Sequence, residues 1–367
     1  MWIIDKVRKM IESRDKYQIS EEAIIEDIKI NKESRNFKSK YEITEESIIK
    51  YIQSQMLGKT YAISDIHGMY GSYMEAIKNL KENDTLFVIG DAIDRGKNGI
   101  KILQDMMNRK NVKFILGNHE WQMMQVLDLI RKYNLSENDI VNYIKAGEQI
   151  YSERDWRRDG DEEEAEKCRK NKEEYLKEIS NIQLDDYDMI LMYIWTLANK
   201  GVYTLDEFLS LTKEQQDEIY KYVKEAAVMA KKQVNNKNFI MVHAAPLELE
   251  YLVDSASKKS EGAIKYSTIV GMDDKKLSES VLSICTETRN DTSGFAFWKK
   301  YGYKTIYGHT PQYGEILVDN VNDAVCIDTG CSRWRGKLAL YCLDDESVKY
   351  IDRKEDYIKD EKEYGDD

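Results

Sequence analysis

The sequence predicts an α/β fold from two features of its residue pattern. Between residues 60 and 133, short apolar runs such as TLFVI at 85–89 alternate with stretches of helical periodicity. Each apolar run ends in a turn that contains Asp, Asn or His. Because strand–helix alternation is typical of parallel sheets, we expect these turns to meet at the carboxyl ends of the strands, where open α/β sheets bind ligands.

Six runs are predicted as buried strands and three intervening segments as helices. The strands are TYAIS, TLFVIGD, VKFILGN, NFIMVH, KTIYGH and AVCIDTG, starting at residues 60, 85, 112, 238, 304 and 324. The helices span residues 71–81, 97–108 and 119–133. The segment that follows is helix-rich and highly charged, so residues 134–237 are predicted as a helical insertion that ends before the strand at 238.

Residues 1–58 are predicted as a helical N-terminal extension. YQISEEAIIEDIK at 17–29 recurs as YEITEESIIKYIQ at 41–53, and each copy has an N-cap residue, Ser20 or Thr44, before an isoleucine stripe. We expect the stripes to pack on the catalytic body or to mediate self-association or a protein contact. Residues 59–351 form the predicted catalytic domain, and 352–367 a disordered acidic tail.

Composition excludes several classes of protein. The net charge of -12 disfavours a broad nucleic-acid surface, which needs clustered Lys and Arg. No run approaches the roughly 18 apolar residues of a membrane span, and the N-terminus does not resemble a signal peptide. The five cysteines contain no CxxC pair, which favours reduced thiols and a cytoplasmic location.

All four histidines lie in short motifs that follow apolar runs. His67 is in SDIHG, His119 in GNHE, His243 in VHAAP and His309 in GHTP. Histidine is the commonest metal ligand and a frequent acid or base in catalysis. Their shared context therefore predicts one catalytic centre.

Other polar residues surround these histidines in the sequence. Asp65 precedes the first histidine by two positions, so strand alternation points both side chains the same way. Asp91 follows a glycine, Asp94 and Arg95 occupy the turn beyond, and Asn118 adjoins the second histidine. Imidazole, carboxylate and amide ligands with one shared carboxylate fit two divalent cations, and they suit Mn, Fe or Zn.

The motifs SDIHG, GDAIDRG, GNHE, VHA and GHTP, in this order, resemble the phosphoprotein phosphatase (PPP) family of binuclear metallophosphoesterases. LGNHEWQMM and IDTGCSRWRGKLALY resemble its bacterial and bacteriophage serine/threonine phosphatase branch. The resemblance covers residues 60–343 apart from the insertion. It implies a calcineurin-like α/β/β/α fold, in which a β-sandwich is flanked by helices.

The resemblance also implies a ligand set. It assigns Asp65, His67 and Asp91 to a first metal and Asp91, Asn118, His243 and His309 to a second. In such enzymes a metal-bridging hydroxide attacks phosphorus in line. Mn is the expected metal, with Fe, Zn and Ni as alternatives.

Four residues receive catalytic roles from the same resemblance. Arg95 would neutralise the phosphoryl oxygens, and His119, oriented by Asp94, would protonate the departing alkoxide. Arg289 is the candidate for a second phosphate clamp because it lies between the two distal histidine motifs. The alternative for Arg289 is an ordinary surface position.

The predicted function is hydrolysis of phosphoserine or phosphothreonine in proteins. One alternative is hydrolysis of a dinucleoside polyphosphate, such as diadenosine tetraphosphate, or of another small phosphoester. A catalytically silent scaffold is the third hypothesis, and the complete acid–base set argues against it. We also expect the insertion to overhang the mouth of the site and to restrict large substrates.

Overall fold

The computed structural model describes residues 58–179, 183–249, 261–289 and 292–354. The chain divides into two compact units, and the larger, formed by Thr60–Leu80 and Thr85–Asp367, carries every element named below. The predicted N-terminal repeat, and all of the predicted tail beyond residue 354, lie outside the described residues. Within these ranges, no helix is long and apolar enough to cross a membrane.

The first part of the larger unit consists of the predicted β–α units. Its elements are β1 (Thr60–Ser64), α1 (Tyr70–Ile77), β2 (Thr85–Ile89), α2 (Gly99–Met107), β3 (Val112–Ile115) and α3 (Asn118–Tyr133). β1 pairs with β2 in parallel, and β2 with β3. The predicted strands and helices of this region are confirmed, with ends that shift by a few residues.

The insertion begins as predicted with helices and ends with a strand. Its elements are α4 (Glu137–Asp159), α5 (Glu162–Lys177), α6 (Asp186–Tyr193), a π-helix (Ile194–Ala198), α7 (Val202–Leu209), α8 (Lys213–Lys224) and β4 (Ala227–Val234). The prediction of helix up to residue 237 was therefore wrong. In β4, Lys231 and Lys232 interrupt the apolar pattern, although burial against neighbouring strands leaves Lys231 only 6% exposed.

The remaining elements complete a mixed sheet. They are β5 (Lys237–Val242), β6 (Glu261–Lys265), α9 (Tyr266–Val270), α10 (Lys275–Glu287), α11 (Ser293–Lys300), β7 (Tyr303–Tyr307), β8 (Leu317–Asp319), β9 (Ala324–Cys326), β10 (Lys337–Cys342) and β11 (Val348–Asp352). The strand order is β11-β10-β1-β2-β3-β4-β5-β7-β9-β8, with β6 paired to β4. Helices flank this sheet, so the predicted α/β fold is confirmed.

Alternate side chains of the strands enter two separate cores. In β2, Leu86 and Val88 pack with residues of the helices, whereas Phe87 and Ile89 join a second cluster that draws on strands and the residues at their ends. Met241 and Ile306 of that second cluster are fully buried, and among the described residues no helix contributes to it. Side chains from different strands of the sheet therefore pack against one another on this face, as expected of a β-sandwich.

Candidate active site

The predicted site residues follow the carboxyl ends of β1, β2, β3, β5 and β7, apart from Arg289, which follows α10. Eight of them line one recess of about 350 Å³ that is partly open to solvent: Asp65, His67, Asp91, Arg95, Asn118, His119, Arg289 and His309. The other two, Asp94 and His243, are fully buried and bond to residues of the lining. All ten predicted residues are thus brought together.

The backbone of these turns is unusual. Six site residues have left-handed backbone conformations, with φ between 49° and 68°: Asp65, His67, Asp91, Asp94, Arg95 and His309. Such strain costs roughly 1–3 kcal/mol per residue and is concentrated at functional sites. Gly90 also has a φ of 72°, and a Cβ there would lie 2.3 Å from His243 Nδ1. Glycine at this position therefore lets the strand ends approach closely.

One group of ligand atoms consists of His67, Asp91 and His119, whose candidate donor atoms lie within 4.8 Å of one another. The His67 Nδ1–H donates to the Ile93 carbonyl at 3.0 Å, which turns Nε2 toward Asp91 Oδ2 at 3.7 Å. Burial, followed by the charge of Arg95, lowers the pKa of His67 well below its ordinary value. This imidazole is therefore neutral and has a lone pair directed at Asp91.

A second group, Asp91, His243 and His309, shares Asp91 with the first. His243 Nε2 lies 3.3 Å from Asp91 Oδ1 and 3.2 Å from Asn118 Oδ1, and His309 Nδ1 lies 3.1 Å from the same amide oxygen. The His243 Nδ1–H is used by the Ile89 carbonyl at 3.0 Å. Nitrogen and oxygen acceptors thus converge from three sides.

This arrangement fits divalent cations. Two acceptors facing one imidazole nitrogen repel each other unless a positive charge lies between them. Burial lowers the pKa of His243, but the charge of Asp91, the hydrogen bond to Asp91 and the charge of Asp65 together outweigh burial and raise this pKa to about 10. The residues therefore favour a positive charge at this point. A metal ion bound by neutral imidazole, carboxylate and amide oxygen would supply it.

Asp65 lies in the recess but outside both groups of ligand atoms. Its carboxylate accepts the backbone N–H of His309, with N···O distances of 3.1 and 3.3 Å. Burial, followed by the charge of Asp328, raises the pKa of Asp65 well above its ordinary value. A nearby cation would relieve this burden on the buried carboxylate.

His119 and Asp94 form a buried pair. His119 Nδ1 lies 2.6 Å from Asp94 Oδ2, and both side chains are at most 2% exposed. The sequence did not identify two further partners of Asp94, which come from the insertion: Trp195 Nε1 donates to Oδ2 at 2.9 Å and Thr204 Oγ1 to Oδ1 at 2.6 Å. These contacts span 101 and 110 residues of sequence. No local pattern could have revealed them.

Three arginines line the recess, of which the sequence predicted two. Arg289 lies in the lining as expected, with its Nε 3.2 Å from His309 Nε2. Neutral His309 can accept this bond or donate from Nε2 to the Glu287 carbonyl at 3.0 Å. Only the second tautomer leaves Nδ1 free for a cation. Arg333 is the additional arginine, and its buried Nε has no hydrogen-bond partner among the described residues.

The sequence also missed Glu120 and Asp328. Glu120 follows His119 in GNHE, and its fully buried carboxylate accepts the N–H groups of Asp91, Ala92, Ile93 and Gly117 at 2.8–3.2 Å. Asp328 of IDTG is not among the predicted site residues, but it is buried and lines the recess. A carboxylate directly after the second histidine was the available signal for Glu120.

A family model described as calcineurin-like phosphoesterase matches residues 58–351. The chain belongs to this family. Calcineurin-like phosphoesterases are hydrolases that use two divalent metal ions, in agreement with the two ligand groups that share Asp91.

Individual relatives match less of the chain. A symmetrical bis(5'-nucleosyl)-tetraphosphatase from Buchnera aphidicola subsp. Schizaphis graminum is 32% identical over 94 residues, which cover 24% of this chain and 34% of that protein. This calcineurin-like phosphoesterase thus spans about a third of the length of the curated tetraphosphatases that it matches.

Two solved structures are similar in outline. A putative diadenosine tetraphosphatase has a TM-score of 0.40 and 13% identity, over 80% of this chain and 93% of that chain. A Saccharomyces cerevisiae protein serine/threonine phosphatase has a TM-score of 0.41 and 10% identity, over 82% of this chain and 81% of that chain.

Proposed function

We propose that this calcineurin-like phosphoesterase is a protein serine/threonine phosphatase of the PPP type. The observation that carries this proposal is the His119–Asp94 pair, which lies 2.6 Å apart beside two ligand groups that share Asp91. A serine or threonine alkoxide is a poor leaving group, so its departure needs an acid, and the pair can supply one.

For the metal ligands, we propose Asp65, His67 and Asp91 at the first cation and Asp91, Asn118, His243 and His309 at the second. The shared Asp91 supports this division, although the compact first group contains His119 in place of Asp65. We keep His119 as the acid because its Nδ1 is engaged by Asp94. Mn²⁺ is the proposed metal, since both groups offer only nitrogen and carboxylate ligands and no cysteine.

When bound, two divalent cations would lower the pKa of a water molecule and withdraw charge from the phosphoryl oxygens. Arg95 and Arg289 would bind these oxygens from the wall of the recess. The His119 Nδ1–H donates a hydrogen bond to Asp94, so the proton for the leaving oxygen comes from Nε2. The ionised Asp94 stabilises the imidazolium that holds this proton.

Arg333 favours a second candidate, hydrolysis of a dinucleoside polyphosphate. Arg95 and Arg289 suffice for one phosphoryl group, whereas Arg333 adds a third guanidinium to the same recess. No carboxylate of the described ranges lies within ion-pair distance of Arg333, whose Nη1 donates to the Tyr313 hydroxyl at 3.5 Å. An adjacent phosphoryl group would pair with it. The tetraphosphatase relatives also favour this candidate.

A comparison of substrates tests both candidates. Phosphate release from phosphoserine and phosphothreonine peptides would be measured beside cleavage of diadenosine tetraphosphate, each with added Mn²⁺. The proposal predicts a higher kcat/KM on peptides, and a strong preference for the nucleotide would replace it with the second candidate. Inactivity on both substrates and on p-nitrophenyl phosphate, or full activity of Asp91→Asn and His119→Asn, would rule out the catalytic assignment.

A further inference from the structure

We infer that Trp195 and Thr204 of the insertion are positioning residues for the His119–Asp94 pair, and that the insertion is therefore part of the catalytic machinery. The inference rests on the proposed role of His119 as the acid. It goes further because it assigns a function to a segment outside every recognised motif. Neither Trp195 nor Thr204 lines the recess, so neither is proposed to touch substrate.

The first argument is the way in which Asp94 is held. Thr204 Oγ1 donates to Asp94 Oδ1 at 2.6 Å and accepts the Asp94 backbone N–H at 3.0 Å. Trp195 Nε1 donates to Oδ2 at 2.9 Å, the oxygen that also faces His119 Nδ1. Both carboxylate oxygens and the backbone of Asp94 are thereby fixed. A fixed carboxylate in turn fixes the plane and the tautomer of the His119 ring.

The second argument is burial. Asp94, Trp195 and Thr204 are each 0% exposed. Water therefore cannot replace a lost donor, and the carboxylate would be left partly unsatisfied or would rotate toward another partner. Either result changes the orientation of His119.

The third argument is that the local backbone of the insertion is shaped around the indole. Trp195 lies in the π-helix. This element is rare in proteins, and where it occurs it is often at a functional site. Gly201 follows it and donates its N–H to the Trp195 carbonyl at 3.0 Å. A Cβ at Gly201 would lie 2.6 Å from the Trp195 carbonyl oxygen and 2.7 Å from Trp195 Nε1, so any larger residue must displace the backbone or the indole of this tryptophan.

The same segment also supports the turn that carries the phosphate clamp. The Arg95 backbone N–H donates to the Lys200 carbonyl at 3.2 Å, and Asn199 lines the recess. Residues 195–204 thus contact two consecutive predicted catalytic positions, Asp94 and Arg95. This combination is expected of a segment that positions a site.

The experiment compares leaving groups. Trp195→Phe and Thr204→Val remove one donor each and keep most of the side-chain volume, and Gly201→Ala displaces the indole while both donors remain in the sequence. Thr204→Ser keeps the hydroxyl, and Trp156→Phe changes a half-exposed tryptophan of the same insertion. For each variant, kcat and KM are measured with Mn²⁺ on p-nitrophenyl phosphate and on an alkyl phosphate.

We expect Trp195→Phe, Thr204→Val and Gly201→Ala to lower kcat on the alkyl phosphate by about tenfold, the factor that corresponds to one lost hydrogen bond to a charged group. The loss on p-nitrophenyl phosphate should be much smaller, because p-nitrophenolate leaves without an acid. KM should change little, Trp156→Phe should match the wild type, and Thr204→Ser should recover the activity that Thr204→Val loses. Equal losses on the two substrates, or no loss on either, would overturn the inference.

A spectroscopic measurement keeps this result separate from the proposed function. The His119 Nδ1–H that faces Asp94 should give a downfield proton NMR signal, assigned by its disappearance in His119→Asn. The signal should persist in Thr204→Ser and shift or broaden in Thr204→Val and Trp195→Phe. If the wild type hydrolyses no phosphoester, the proposed function fails. If the signal is unchanged in both donor variants, the positioning role fails.

Discussion

Replacing Glu120 by glutamine should destabilise the fold strongly, although the two side chains have nearly the same shape. The Glu120 carboxylate accepts four buried backbone N–H groups, two on each oxygen, at 2.8–3.2 Å. Glutamine keeps one oxygen and places an NH₂ group against two of these donors. The two affected N–H groups then lose charge-assisted bonds worth about 1.5 kcal/mol each or more, so we expect a loss of at least about 3 kcal/mol.

The ionisation state of Glu120 decides this outcome. Burial, followed by the charge of Asp91, raises the pKa of Glu120 to about 7. Four N–H donors act in the opposite direction, because they stabilise the ionised form. We expect the donors to prevail, since a protonated carboxyl would direct its own hydrogen at an N–H group.

Urea unfolding at pH 7.5, followed by tryptophan fluorescence, measures the free-energy difference. In a domain of this size each 1 kcal/mol lowers Tm by about 2–4 °C, so a fall of about 6–12 °C should accompany it. Glu163→Gln is the matched control, because the Glu163 side chain is 85% exposed. If Glu120→Gln is as stable as Glu163→Gln, Glu120 is protonated or its four contacts contribute little, and the reasoning is refuted.

Three further predictions concern the recess. Removing metal with EDTA should abolish activity and lower Tm by about 5–10 °C, with recovery on adding Mn²⁺. The reason is that a ligand at 100 times its Kd stabilises the native state by about 3 kcal/mol. An Asp91→Asn variant whose Tm responds equally to Mn²⁺ would contradict the shared-ligand assignment. Gly90→Ala should remove this Mn²⁺ response, because its Cβ would lie 2.3 Å from His243 Nδ1. Gly160→Ala should retain the response, because Gly160 also has a positive φ but its Cβ would meet no atom within 4 Å. Equal Mn²⁺ responses in both variants would refute the steric argument. Arg333→Gln should lower kcat/KM for diadenosine tetraphosphate by about tenfold and leave p-nitrophenyl phosphate within about twofold; equal losses in a two-substrate assay would assign Arg333 to the phosphoryl group common to both.

The positions of the motifs could be predicted from the sequence because each follows an apolar run. A run such as TLFVIGD specifies a strand and the turn at its end, and parallel pairing of β1, β2 and β3 then places such turns side by side. Strand β4 could not be found in this way, because its two adjacent lysines break the apolar pattern. Its place in the sheet depends on its neighbours, and a single sequence does not reveal them.

The residues that the sequence missed act over long distances along the chain. Trp195 and Thr204 meet Asp94 across more than a hundred residues, and the charged helices of the insertion gave them no special context. Glu120 lies inside a recognised motif, but its partners include backbone groups of a different turn. A motif identifies side chains, whereas these contacts depend on where the tertiary fold places the backbone.

These two sets of contacts hold the same turn from two different elements. Glu120 binds the backbone of residues 91–93 from helix α3, while Thr204 binds the backbone and side chain of Asp94 from the insertion. Asp91, Asp94 and Arg95 in this turn all have left-handed backbones, which would relax if either support were absent. The strain persists because two buried supports specify the turn together. The insertion therefore supports the same turn as Glu120, and the positioning role that we infer for it requires no contact with substrate.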